Sequence, residues 1–183
     1  MGVVVLNVYT VYCISKAFRE GLPPVDRIVT VTGDSVKEPK NIEVRLGVPY
    51  SFLFDLADGF SKEPQKIISG GPMMGMAQFS LDAPVIKTTS SLIALSEAPK
   101  IFDKAMPCIR CGKCVEHCPM KPLPVSISKA ALSENYDLAE KLHATDCLDC
   151  GLCSYICPSN QNPVEFIRRA KKVIIAKKKQ GGK

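Results

Sequence analysis

The sequence predicts an α+β protein in two parts, a small mixed sheet of the β-grasp kind followed by a helical region organised around cysteines. Three observations predict this. Between Arg27 and Ala98, short β-branched runs are separated by turn residues, with one short helical piece among them. Eight of the nine cysteines lie after residue 107 in two groups of four, which divides a cysteine-poor front from a cysteine-rich back. Between those groups, Val125, Ile127, Ala130, Ala131, Leu132, Leu138, Ala139 and Leu142 recur at broadly helical spacing.

Taken in order, the chain opens on the apolar run Val3-Val4-Val5-Leu6 and passes into a helix expected from Val8 to Glu20, stopped by Gly21-Leu22-Pro23-Pro24 in the usual glycine-then-proline order. An apolar start of this kind reads as a piece of a longer protein. Strands are expected over Arg27 to Thr32, Asn41 to Leu46 and Gln65 to Ile68, with a helix over Ser51 to Asp58. Three glycines in Gly70-Gly71-Pro72-Met73-Met74-Gly75 imply positive φ or close approach, either in a tight turn that closes the sheet or in a loop that faces a ligand or partner. The run from Val85 to Leu95 reads as a further strand, and Pro99 and Pro107 bracket a short connection. Ser133-Glu134-Asn135 is expected to split the stretch from Pro124 to His143 into two helices. From Pro163 to Lys179, Phe166, Ile167, Ala170, Val173 and Ile174 form one helical face, with Arg168, Arg169, Lys171 and Lys172 on the other. That basic face suits water, an anionic membrane surface or an acidic partner.

The cysteines carry the chemistry. Cys108, Cys111, Cys114 and Cys118-Pro119 share their spacing with Cys147, Cys150, Cys153 and Cys157-Pro158. Three thiolates at every third position suit three corners of an iron-sulfur cube, and in two-cluster ferredoxins the fourth, before proline, ligates the other cluster. The expected sets are therefore Cys108, Cys111, Cys114 and Cys157 on one 4Fe-4S cluster, and Cys147, Cys150, Cys153 and Cys118 on the second. Structural zinc sites usually present two Cys-x-x-Cys pairs across a longer spacer, which fits poorly. Electron transfer is the expected role. Arg110 and Lys113 in the first run stand where the second has Asp149 and Leu152, so the first cluster is expected to have the higher potential. Cys13 is expected to be a buried thiol of the first helix, and His117 a solvated loop residue. No nucleophile stands with a base in any recognisable arrangement, so no catalytic residue is named.

The formal charge of +6 is uneven: eight basic residues and one acid between Asn160 and Lys183 leave the other residues at −1. No nucleic-acid partner is expected. No apolar run of about 18 residues is present, so membrane association is expected through partners. No basic segment precedes the apolar start, and a reducing compartment is expected.

Ile67-Ile68-Ser69-Gly70-Gly71-Pro72-Met73-Met74-Gly75, Leu81-Asp82-Ala83-Pro84-Val85 and Pro107-Cys108-Ile109-Arg110-Cys111-Gly112-Lys113-Cys114 together resemble the RnfC family, one of the components of ion-translocating ferredoxin:NAD oxidoreductase complexes. The resemblance extends to Val29-Thr30-Val31-Thr32-Gly33 and covers essentially the whole chain. It implies a remnant of an upstream flavin- and NADH-binding domain over 1–24, an SLBB-like β-grasp region over 25–98, and a helical two-cluster ferredoxin domain over 99–183. Leu6-Asn7-Val8-Tyr9-Thr10 is similar to an Asn-Asn-Val-Glu-Thr segment of the upstream domain, but Leu6 and Tyr9 depart from it and no flavin role is assigned to Asn7. FMN and NAD(H) are implied only for that missing domain, so this chain alone is not expected to oxidise NADH. The resemblance further implies other Rnf subunits as partners and a peripheral place on the cytoplasmic face of the bacterial inner membrane. The cobalamin reductase of propanediol-using microcompartments shares the arrangement, and a structural docking module held together by its clusters is a third reading.

Overall fold

The computed structural model describes residues 2–97 and 105–181, so most of the connection expected between Pro99 and Pro107 lies outside the described residues. The chain divides into two compact units, 1–98 and 99–183, and the segment 1–24 is gathered with the sheet.

The first unit is built on a five-stranded mixed sheet. Its strands are β1 (Asp26–Thr32), β2 (Lys40–Arg45), β3 (Lys66–Ser69), β4 (Met76–Gln78) and β5 (Ser91–Leu95), in the order β2-β1-β5-β3-β4. β1 and β5 run parallel, and the other pairs are antiparallel. Period-two alternation puts Val29 and Val31 of β1 and Leu92 and Ala94 of β5 on the buried face, while Ile28 and Thr30 point to water. Helix α2 (Tyr50–Leu56) covers that face with Tyr50, Leu53 and Phe54, which join the four strand residues and Val44 in one core. Truncating the fully buried Leu53 to alanine should cost about 2–5 kcal/mol.

One sequence expectation changes here, and an open one is resolved. The run from Val85 to Leu95 is a strand only from Ser91, because the chain turns at Ile86 to Thr89, where Thr89 N–H donates to Ile86 O at 2.9 Å and Thr89 Oγ1 accepts from Ile86 N–H at 3.1 Å. The glycine-rich segment is a tight turn between β3 and β4: a Cβ at Gly75 would stand 2.5 Å from Gly71 O.

Helix α1 (Val8–Glu20) has the expected bounds, with Asn7 Oδ1 accepting from Tyr9 N–H and Gly21 in the left-handed region. It buries no residue, and Cys13 is half-buried rather than buried. Tyr9 Oη–H, donating to Asp26 O at 2.8 Å, and a Lys16–Asp26 pair at 3.6 Å fasten it to the start of β1.

The second unit is helical. It contains α3 (Lys113–Glu116), α4 (Pro124–Leu132), α5 (Tyr136–Lys141), a 3₁₀ turn (Ala144–Asp146), α6 (Leu152–Tyr155) and α7 (Pro163–Gly181). The expected break falls at Ser133 to Asn135, where Asn135 Oδ1 caps α5 by accepting from Leu138 N–H. Ile127, Ala130 and Ala131 of α4 pack with Ile167, Ala170 and Ile174 of α7 in a core whose alanines allow close helix approach. The expected apolar face of the last helix is thus spent within the unit. Its basic face is not wholly solvated, because Arg168 and Lys171 turn back onto the second cysteine run.

The two cysteine runs head a structural repeat. Cys108 maps onto Cys147, α3 onto α6, and Pro124 at the start of α4 onto Pro163 at the start of α7. The first copy's helix is 9 residues long and the second's 19.

Candidate metal centre

Each run makes the same loop. Arg110 and Asp149 have φ of 56° and 55°, and the glycines that follow one residue after the second cysteine, Gly112 and Gly151, both have φ of 80°. Two left-handed residues so close reverse the chain around a point and turn successive side chains towards it. One helical turn follows, closed by Val115 N–H to Gly112 O at 2.9 Å in the first copy and Ser154 N–H to Gly151 O at 3.0 Å in the second. After the fourth cysteine, Lys121 and Asn160 again have positive φ, and their N–H groups donate to Cys118 O and Cys157 O, both at 3.2 Å.

These loops gather the eight cysteines into two sets. Cys108, Cys111 and Cys114 share a cavity of about 290 Å³ with Cys157, edged by Arg110, Lys113 and Lys129. Cys147, Cys150 and Cys153 surround a much tighter space of about 20 Å³ with Cys118, closed by Pro119, Val164 and Ile167. Each set takes its fourth member from the opposite run. Among the described residues no three Cys, His, Asp or Glu side chains converge on a point as ligands of a single ion would. Four soft sulfur donors around a common space fit a sulfide-bridged iron cluster, and for the second set the fit rests on its donors.

The sets differ in their surroundings. Cys108 and Cys111 are exposed, whereas Cys147 and Cys150 are half-buried and Cys153 is buried. Burial pushes the Cys114 and Cys147 thiols above their ordinary value and the Cys153 thiol up to about 11. Thiolate is the binding form, so metal uptake must release these protons. The Asp149 N–H donates to Cys147 Sγ at 3.4 Å, an amide-to-sulfur contact of the kind that sets cluster potentials.

Sequence reasoning placed His117 in solvent, and it is exposed, with Nδ1 3.0 Å from Lys113 O. It missed the attachments of the second loop. Lys171 Nζ donates to Cys147 O at 2.6 Å and pairs with Asp149 at 3.6 Å, Arg168 Nη2 donates to Asp149 O at 3.4 Å, and Ser154 Oγ–H donates to Asn162 Oδ1 at 2.8 Å. The available signal was the acid in the second run facing a basic helix.

An SLBB domain profile matches residues 28–77, and a 4Fe-4S dicluster domain profile matches residues 100–173. The fold and the cysteine loops therefore define a two-part protein, an SLBB domain joined to a 4Fe-4S dicluster domain. Over 180 residues, 98% of this chain and 41% of the relative, it is 47% identical to the RnfC component of the Na(+)-translocating ferredoxin:NAD(+) oxidoreductase complex of Acetobacterium woodii. It is 43% identical to the corresponding component of the proton-translocating complex of Clostridium ljungdahlii, over 77% of the chain and 31% of that protein. It is 40% identical to the same component of the ion-translocating oxidoreductase complex of Rhodobacter capsulatus, over 80% and 26%. The chain belongs to this RnfC family and spans less than half the length of these relatives.

Proposed function

We propose that this chain is the electron-relaying part of the RnfC component of an ion-translocating ferredoxin:NAD oxidoreductase, with Cys108, Cys111, Cys114 and Cys157 holding one 4Fe-4S cluster and Cys147, Cys150, Cys153 and Cys118 the other. The observation that carries the reading is the gathering of three cysteines from one run and one from the other around each of two cavities. A 4Fe-4S cluster exchanges one electron without moving atoms far, which is what a relay needs. The protein's part is to hold four thiolates in fixed loops, aim backbone N–H groups at sulfur and set the local charge. On this reading FMN and NAD(H) are expected upstream, outside the stretch that this chain spans. Other subunits of the complex are the partners, and attachment is peripheral, on the cytoplasmic face of the membrane. Among the described residues no helix is long and apolar enough to cross a bilayer, and the apolar side of α7 is already packed.

The test is an anaerobic preparation with iron and sulfide analysis, expected at about eight of each per chain, followed by dithionite reduction and reoxidation. Reversible reduction of both centres, with electron exchange to a ferredoxin or flavoprotein, supports the relay. Centres that bind but never change oxidation state would show a structural role instead.

A further inference from the structure

We infer that Lys171, assisted by Arg168, is a positioning residue for the second cysteine run, holding its backbone and cancelling the charge of Asp149 at the cluster that run binds. The inference rests on the cluster-binding reading above and goes beyond it by naming what sets one centre apart from the other.

Asp149 stands between Cys147 and Cys150, in a left-handed conformation that fixes where its side chain goes. Oδ1 is buried and has no hydrogen-bond partner, and Oδ2 lies 3.6 Å from Lys171 Nζ. An isolated carboxylate so placed is costly, and it opposes the arrival of an electron at a neighbouring anionic centre. The same Nζ donates to Cys147 O at 2.6 Å, and Arg168, one turn earlier on α7, donates to Asp149 O at 3.4 Å. Two cations from one helix face thus hold both ends of the segment Cys147-Leu148-Asp149. The ion-paired side chains are 24% and 26% exposed, so solvent screens them less than an ordinary surface pair.

The first copy has no such arrangement. Asp149 maps onto Arg110, and Lys171 onto Leu132, which is 57% exposed. Sequence alone assigns the second centre the lower potential, with Asp149 and Leu152 standing where the first run has Arg110 and Lys113. With Lys171 against that carboxylate, most of the difference due to Asp149 is removed, and the gap between the centres rests on Arg110 and Lys113.

The experiment is an EPR-monitored redox titration of the whole chain with both centres loaded, comparing wild type with Lys171→Met, Lys171→Arg, Asp149→Asn and the Lys171→Met/Asp149→Asn double variant. Lys171→Met should make one of the two one-electron steps about tenfold less favourable, about 59 mV. Asp149→Asn should move the same step the opposite way, the double variant should return near wild type, and Lys171→Arg should stay there. Arg110→Gln should move only the other step. A Lys171→Met shift that persists undiminished in the double variant, equal movement of both steps, or no movement in either Lys171→Met or Asp149→Asn overturns the inference. Should Lys171→Met lose its centre, Asp149→Asn decides: a raised step supports the charge role, and an unmoved one overturns it. Wild type that takes up no iron would instead defeat the cluster reading itself.

Discussion

The two cysteine loops have the same backbone and different neighbourhoods. From Arg110 to Lys121 and from Asp149 to Asn160 the turns, the short helix and its hydrogen bonds repeat closely. Yet the first loop leaves Cys108 and Cys111 in solvent, and the second is packed beneath a helix twice as long as its counterpart. Spacing and glycines therefore fix the shape of an iron-sulfur loop, while the element that follows fixes burial and charge. One motif can serve as an open site and as an enclosed one.

The strongest way to break the comparison is to test whether the loops are separate sites at all. Under the exchanged assignment, Cys111→Ser/Cys157→Ser removes two ligands of one cluster and should leave about four of about eight irons. Cys111→Ser/Cys118→Ser strikes both clusters and should leave almost none. The reverse result would mean that each run keeps its own fourth cysteine.

Next in size is thiol reactivity in metal-free protein, read by alkylation and mass spectrometry. Raising the Cys153 pKa from 9.0 to about 11 lowers its thiolate fraction about a hundredfold at neutral pH. Cys108 and Cys111, being exposed, should therefore be modified first. In the fold Cys153 holds its proton more tightly than in the unfolded chain. Its contribution to the metal-free fold is full below about pH 9 and is lost as pH rises through about 11. Equal alkylation rates would show that the second loop is as open as the first.

Smaller effects sharpen the difference further. Ser154 is buried, donates to Asn162 and accepts from Val164 N–H at 3.2 Å, so Ser154→Ala should cost about 1–3 kcal/mol in chemical denaturation. Its counterpart Val115 makes no such link, and Val115→Ala should cost less than about 1 kcal/mol. Gly112→Ala meets open space and should cost only the left-handed backbone penalty, about 1 kcal/mol. Gly151 has the same φ but is buried, so its alanine variant should cost more; equal costs would mean that the neighbourhoods matter less than the backbone.

How much of this was legible in sequence follows from the range of the interactions. The ends of α1 could be read because Asn7 and Gly21 act on their own neighbours, and the split at Ser133 to Asn135 for the same reason. β4 could not, since Met76-Ala77-Gln78 has no β-branched residue and is a strand only by pairing with β3. The early part of the Val85 run misled because Thr89 satisfies the backbone locally in place of a strand partner. The motif spacing suggested the grouping proposed above, and the same cysteines line the two cavities. The two cations of α7 that reach the second loop were not readable, because amphipathic spacing separates a packed face from a polar one without saying what the polar face meets.

The proposed exchange of fourth cysteines has a consequence for how the protein is made. On the growing chain Cys108, Cys111 and Cys114 emerge well before Cys157, with α4, α5 and the whole second loop still to follow. Neither ligand set is complete until synthesis has reached the second run. Under that assignment iron delivery to either site is a late event, and a ribosome that stalls between the two runs leaves a set of thiols with nothing to close on.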